Sequence, residues 1–207
     1  MLARLGIVAV LSATILGGCS AQDQRITRLD YVPSKAAAKT GGAPVGVAMP
    51  TEAHGLPVNK LGEPIVGDIV KQGGSASGHV LLVDSLPKWV GNAVTGELKA
   101  AGINAGLGLE PKPGRAIVKT EIAQLKNETK SQWSSNSVTT TIGLEFKVEK
   151  DGQNLGTVQA VGTGKVEAAA KLTDVMHQAM QMALHDALKK GAPPVVDILR
   201  KADQPPR

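Results

Sequence analysis

The chain has 207 residues, a formal net charge of +5, 42% hydrophobic residues and only 2% aromatic residues. The length fits one domain, and no run of five or six like charges supplies the basic tail of many nucleic-acid-binding proteins. The few aromatic side chains, Tyr31, Trp89, Trp133 and Phe146, also argue against a surface that stacks bases or sugar rings.

The first twenty residues have the pattern of an export signal. Arg4 precedes an apolar run from Leu5 to Leu16, and Gly17-Gly18 lead into Cys19, the single cysteine. This ending resembles the lipobox of bacterial lipoproteins, which are cleaved before the cysteine and acylated on it. We therefore expect a lipoprotein signal peptide over 1–18 and lipidation, including palmitate, at Cys19. An ordinary secretory signal is the alternative.

The residue after the cysteine predicts the membrane. In the Gram-negative lipoproteins that this segment resembles, Asp at that position retains the protein in the inner membrane, whereas this chain has Ser20. The resemblance thus implies the outer membrane, with the chain anchored by lipid on its periplasmic face. No later stretch approaches the roughly 18 apolar residues that a membrane-spanning helix needs.

Residues 19–43 are polar and end in Gly41-Gly42, which predicts a lipid anchor followed by a flexible tether. Residues 44–207 are then a single periplasmic domain. It begins with a short strand near Pro44–Met49. The Gly- and Pro-rich stretch 50–78 predicts a long loop, within which Ile65–Val70 can form a short strand.

A helix is predicted over residues 86–101. Ser85 is a good N-cap residue, and Pro87 lies in the first turn, where its missing N–H costs nothing. Apolar residues then recur at helical spacing as far as Ala101. Gly102 suits the left-handed residue that ends many helices.

Three strands follow. Arg115–Asn127 is the first, and Val138–Val148 alternates apolar and polar residues as a strand with one buried face. Asp151-Gly152 predicts a tight hairpin turn into a return strand over Leu155–Ala168. On one side of that return strand the residues are unusually small, including Gly162 and Gly164, which predicts that a helix lies close against it.

A second helix is predicted over Asp174–Lys190, ended by Gly191 and by Pro193-Pro194. The predicted fold class is therefore α+β, a mainly antiparallel sheet with two helices packed on one face. The lipidated tether precedes it.

Several short sequence patterns resemble catalytic motifs, but the order of the motifs or the residues around them do not match. Ser85-Leu86-Pro87-Lys88, Ser134-Ser135-Asn136 and Lys39-Thr40-Gly41 match the three motifs of penicillin-binding proteins, but the last comes first in this chain. Gly162-Thr163-Gly164-Lys165 lacks the other residues of a phosphate loop. The four histidines have no metal-binding spacing, so we expect no cofactor and no metal site.

The layout resembles the YajG-type lipoproteins, a poorly characterised group in the Gram-negative outer membrane. The resemblance covers the lipobox at 16–19 and the helix 86–101 closing in Ala-Ala-Gly-Ile. It also covers the strand pair 138–168 and the late helix with Ala-Leu-His-Asp-Ala-Leu at 183–188. It implies an envelope lipoprotein and transfers no catalytic residue.

The favoured function is a non-catalytic binding or scaffolding module of the cell envelope, with an envelope protein or the cell wall as partner and no nucleic acid. The candidate interaction surface is the polar side of the middle strand, with Thr139, Thr141, Glu145 and Lys147, together with the loop 50–78. One alternative is a carrier of lipid or a small ligand, or an auxiliary subunit of an envelope transport system. It would use the small-residue strand face and the methionines Met176, Met180 and Met182 as a pocket. A peptidoglycan-acting enzyme is the third hypothesis.

Overall fold

The computed structural model of the chain describes residues 23–33, 38–70, 76–131 and 134–203. The predicted signal peptide, Cys19 and Trp133 lie outside the described residues. The helices are α1 (Leu86–Ala100) and α2 (Leu172–Ala202). The strands are β1 (Gln24–Ile26), β2 (Gly41–Val47), β3 (Thr51–Glu52), β4 (Ile65–Val70), β5 (Ala76–Leu82), β6 (Ile103–Leu107), β7 (Ala116–Ser131), β8 (Asn136–Lys150) and β9 (Gln153–Ala168).

The strands form two sheets. The larger has the order β6-β2-β7-β8-β9 with β3 beside β7, and the smaller has the order β1-β5-β4. Strands β7, β8 and β9 are antiparallel, whereas β2 runs parallel to both β6 and β7. The predicted α+β class with two helices is confirmed. The parallel strand pairs and the smaller sheet were not predicted from the sequence.

Strand β8 confirms the predicted alternation. Its inward side chains are buried from Val138 to Val148, and Phe146 is 1% exposed. A Cβ built on Gly191 of α2 would lie 2.5 Å from the Phe146 ring. Phe146 therefore packs against the late helix, which covers the inner face of the larger sheet.

Helix α2 lies unusually close to β9. A Cβ on Gly162 would lie 2.0 Å from the Ala183 carbonyl oxygen, and one on Gly164 would lie 2.1 Å from that of Ala179. Both distances are to backbone atoms, so only glycine fits at these two positions. The close helix that the small residues of β9 predict is therefore present.

Helix α1 begins and ends as predicted. The Ser85 hydroxyl accepts a hydrogen bond from the Lys88 N–H at 3.3 Å, and Pro87 occupies the first turn. At the other end Gly102 has φ +86°, the left-handed conformation that costs glycine little. These are local effects, which explains why they can be read from the sequence.

Helix α2 does not end at Gly191, contrary to our prediction. It continues through Pro193 and Pro194 to Ala202. The prolines are exposed and remove two helical N–H donors, but the turns beyond them bury Val195, Val196 and Leu199. Burial of three large apolar side chains stabilises by several kcal/mol, which offsets the lost hydrogen bonds.

The predicted flexible tether is wrong for residues 23–33, which pack on the domain as an ordered arm. Strand β1 pairs in parallel with β5, and Ile26 and Leu29 are 4% and 7% exposed. Trp89 Nε1 donates to the carbonyl of Asp30 at 3.0 Å. These apolar and polar contacts supply the free energy that our prediction assumed the arm could not gain.

Tyr31 adds a partly buried hydrogen bond between the arm and α1. Its hydroxyl donates to the Glu97 carboxylate at 2.6 Å. Burial, together with this bond to a carboxylate, raises the pKa of Tyr31 above its ordinary value of 10. The phenol therefore stays protonated and keeps donating throughout the physiological pH range.

We expect the arm to contribute measurably to stability. A soluble chain that begins at Ala43 should melt more than about 5 °C below one that begins at Asp23, because it lacks β1 and the contacts of Leu29 and Tyr31. Circular dichroism at 222 nm measures both transitions. Equal melting temperatures would contradict the docked arm.

The predicted loop 50–78 is also wrong in part. Its described residues contain β3 and β4 and the start of β5, and β4 confirms the strand predicted at Ile65–Val70. Asn127 of β7 donates to the Val66 carbonyl at 2.7 Å, and Thr129 donates to that of Asp68 at 2.8 Å. Side chains of β7 thus hold β4 against the larger sheet.

Among the described residues, neither helix has the length and apolar character needed to span a membrane.

Candidate interaction face

The face of β7, β8 and β9 that points away from α2 is the candidate site, which we call the outer face. In β8 it carries the odd-numbered residues, and the antiparallel register places their neighbours beside them. All four predicted residues, Thr139, Thr141, Glu145 and Lys147, lie on this face. The structure thus brings the sequence-predicted set together along one strand.

The outer face is built from rows of three side chains across the sheet. One row is Glu128, Thr139 and Lys165, and the next is Lys126, Thr141 and Thr163. The flanking residues are exposed, whereas the two threonines in the central strand are half-buried between them. Charges of both signs therefore surround short hydroxyl side chains on a rigid backbone.

The Glu149 carboxylate of the outer face is held ionised by two lysines. Glu149 accepts from Lys119 at 2.6 Å and from Lys147 at 2.8 Å, and these two partners hold its pKa below the usual value of 4.5. Gln159 donates to Glu145 at 2.8 Å. A general acid requires a raised pKa, so Glu149 with its two lysine partners is better suited to recognition than to proton transfer.

The regular pattern of the outer face is interrupted at its centre. Strand β7 has a bulge between Ile122 and Gln124, opposite Gly143 of β8. The third member of this row, Val161 of β9, is 53% exposed. The centre of the outer face therefore combines a missing side chain with an exposed apolar one.

Two side chains of α2 bond backbone groups on the free edge of strand β9. The Asp186 carboxylate accepts from the Thr163 N–H at 3.0 Å, and Lys190 Nζ donates to the Val161 carbonyl at 3.0 Å. Lys190 also donates to Asp186 at 2.7 Å. Together they satisfy backbone groups that another strand would otherwise pair with.

Two of the other sequence patterns have structural roles. Ser85 and Lys88 form the helix cap, and Gly162 to Lys165 is a segment of strand β9 rather than a loop. His79 contacts Asp68 at 2.9 Å. Within residues 23–33, 38–70, 76–131 and 134–203, no three His, Cys, Asp or Glu residues are grouped to hold a metal ion.

The pocket considered for a small ligand is filled. Helix α2 occupies the space against Gly162 and Gly164, and Met176 and Met180 are fully buried. Only the third methionine, Met182, is exposed, at 46%. The small residues of β9 therefore serve helix packing.

A groove of about 480 Å³ was not predicted from the sequence. It lies between the arm and α2, where the Tyr31 and His185 rings are 6.4 Å apart and Val32 and Met182 are exposed. No sequence signal points to it, because its two walls are about 150 residues apart and meet only once the arm has docked.

The fold resembles solved structures at low sequence identity. A Xanthomonas campestris protein of the DUF330 family aligns over 86% of this chain and 99% of its own, with a TM-score of 0.54 and 11% identity. An uncharacterised protein aligns over 87% and 99%, with a TM-score of 0.46 and 8% identity. A neuraminyllactose-binding hemagglutinin homologue from Helicobacter pylori aligns over 84% and 94%, with a TM-score of 0.41 and 10% identity.

No family model and no curated protein matches the sequence. At 11% identity the first likeness concerns the fold alone. This chain therefore shares the α+β fold of a DUF330 protein.

Proposed function

We propose that this chain is a non-catalytic binding module of the bacterial envelope, held on the periplasmic face of the outer membrane by lipid on Cys19. Its outer face binds an envelope protein or a cell-wall polymer. The lipobox pattern at 16–19 supports the anchor, and the similarity in layout to YajG-type lipoproteins supports the setting.

The outer face carries this proposal. Three strands of 15 or 16 residues present it, and the inner side of the same strands is fixed against α2. A rigid face loses little conformational entropy on binding. Charged side chains on either side of the exposed Val161 offer both polar contacts and an apolar contact, the combination found in protein interfaces.

The test is photo-crosslinking in intact cells. A benzoyl-phenylalanine residue at Thr141 should form discrete crosslinks, because it lies in the middle of the outer face. The same residue at Gln178, exposed on α2, is the matched control and should not form them. Indistinguishable crosslinks from the two positions would contradict the proposal.

Charge reversal tests which part of the outer face recognises the partner. The double variant Glu145→Lys/Lys147→Glu keeps the net charge and should reduce the Thr141 crosslink at least about tenfold, the effect of losing 1.4 kcal/mol of binding. Lys189→Glu on exposed α2 should leave it intact. A Thr141 crosslink unchanged by the double variant excludes Glu145 and Lys147 from the interface.

A further inference from the structure

The docked arm determines where the anchor is attached to the domain. Strand β1 places Gln24 beside Val80 of β5, and the Asp23 carboxylate accepts from the His79 N–H at 2.9 Å. Asp84 accepts from the Leu29 N–H at 2.9 Å. The arm is therefore bonded to the domain both before and after β1, and its first described residue, Asp23, is held in place.

Only residues 20–22 separate Cys19 from Asp23. An extended chain advances at most about 3.6 Å per residue, so the α-carbons of Cys19 and Asp23 are at most about 14 Å apart. The 25-residue tether expected from the sequence would have allowed several times that distance. A lipid on Cys19 must therefore hold Asp23 near the membrane surface.

Asp23 lies at one end of the molecule. It shares a groove of about 610 Å³ with Arg25, Ile69, Asn136 and Lys171. Asn136 is the first residue of β8 and Lys171 precedes the first turn of α2, so both elements lead away from this groove. We call this region the anchor end.

The opposite end of β8 is distant from the groove. Fifteen residues of strand extend about 50 Å, so the turn at Asp151-Gly152 lies near that distance from Asn136. Lys130 and Lys171 are exposed at the anchor end. Their ammonium groups complement the phosphates of lipid headgroups.

We propose that the short link holds the anchor end against the lipid headgroups of the membrane that carries Cys19, with the Asp151-Gly152 turn directed away. This inference rests on the lipid anchor of the proposed function but not on the partner of the outer face. It gives the domain a defined orientation: α2 and β8 start near the membrane and lead away from it, whereas the antiparallel strands β7 and β9 lead back and end near it.

The test uses the full lipidated protein in vesicles of phosphatidylethanolamine and phosphatidylglycerol. Because the lipid occupies Cys19, a second cysteine is a unique site for an environment-sensitive fluorophore. We compare Lys171→Cys at the anchor end with Gln153→Cys beside the distant turn, both exposed positions. Nitroxide-labelled headgroups should quench most of the fluorescence at position 171 and little at position 153.

A third variant varies the length of the link. Twenty Gly and Ser residues inserted between Ala21 and Gln22 should abolish most of the quenching at position 171. Equal quenching at the two positions, or quenching at 171 that survives the insertion, would overturn the proposal.

Vesicle flotation separates this proposal from the proposed function. Protein that floats but shows equal quenching contradicts only the orientation, and the outer face is still tested by its crosslinks. Protein that does not float shows that the anchor is absent, which overturns both the anchor and the orientation.

Discussion

Replacing Gly162 by alanine is expected to destabilise the domain by about 3 kcal/mol, the upper part of the range for overpacking. The new Cβ would lie 2.0 Å from the Ala183 oxygen and 2.3 Å from the Ala187 nitrogen. Both atoms belong to the backbone of α2, so relief requires the helix to move away from β9. Urea unfolding followed by circular dichroism measures the loss.

Gly143→Ala is the matched control. It adds the same methyl group to the neighbouring strand, on the outer face, where the nearest side-chain atom is the Gln124 Cβ at 3.3 Å. We expect a change of less than about 1 kcal/mol, because a contact at 3.3 Å is relieved by a small local shift, whereas one at 2.0 Å requires α2 to move. Similar losses for Gly143→Ala and Gly162→Ala would show that helix proximity is not the cause.

Phe146→Ala should cost about 3–5 kcal/mol, the range for removing a fully buried aromatic ring. The ring is 1% exposed and packs against Gly191 and Ala160. Glycine has no side chain with which to fill the cavity, so relaxation would require movement of α2 itself. Urea unfolding provides the free-energy difference.

The adjacent Lys147→Ala is the control for the face of the strand. Lys147 is exposed and its ion pair with Glu149 lies on the surface, so its loss should cost less than about 1 kcal/mol. Equal effects of the two substitutions would mean that the alternation of β8 had been assigned to the wrong faces.

Most of the features predicted correctly depend on neighbours in the chain. Ser85 and Gly102 mark the ends of α1, and Asp151 and Gly152, with φ of 51° and 80°, form the expected turn between β8 and β9. Gly162 and Gly164 are an exception, because their lack of side chains correctly indicated the close packing of α2, which follows later in the chain. In each case the residue type has few other uses, so its position is informative.

The arm could not be predicted in this way. Residues 23–33 contain few large apolar groups, and their stability comes from β5, α1 and α2, which follow later in the chain. The parallel pairing of β2 with β6 and β7 has the same origin. These particular contacts leave no periodic pattern in the residues of the arm or of β2.

Helix α2 shows why a local rule fails when packing outweighs it. Gly191 and Pro193-Pro194 are ordinary signals for the end of a helix. Here the glycine makes room for the Phe146 ring, and the exposed prolines are followed by a second buried stripe. The outer face was predictable because β8 alternates, but its crosswise rows depend on register with β7 and β9, which the sequence does not specify.

The bonds that Asp186 and Lys190 make to β9 bear on whether copies of this protein associate through that edge strand. An open strand edge adds strands from other chains and so begins aggregates, and crowding increases that risk. Asp186 accepts from the Thr163 N–H and Lys190 donates to the Val161 carbonyl, so these two groups are not free to pair with another strand. Lys190 and the Thr163 N–H lower the pKa of Asp186 from 3.8, so Asp186 stays charged at neutral pH and its bonds weaken only as strong acid protonates the carboxylate. Protonation of Asp186 would therefore return one N–H of the β9 edge to solvent, and we expect any self-association through this edge to increase in strong acid.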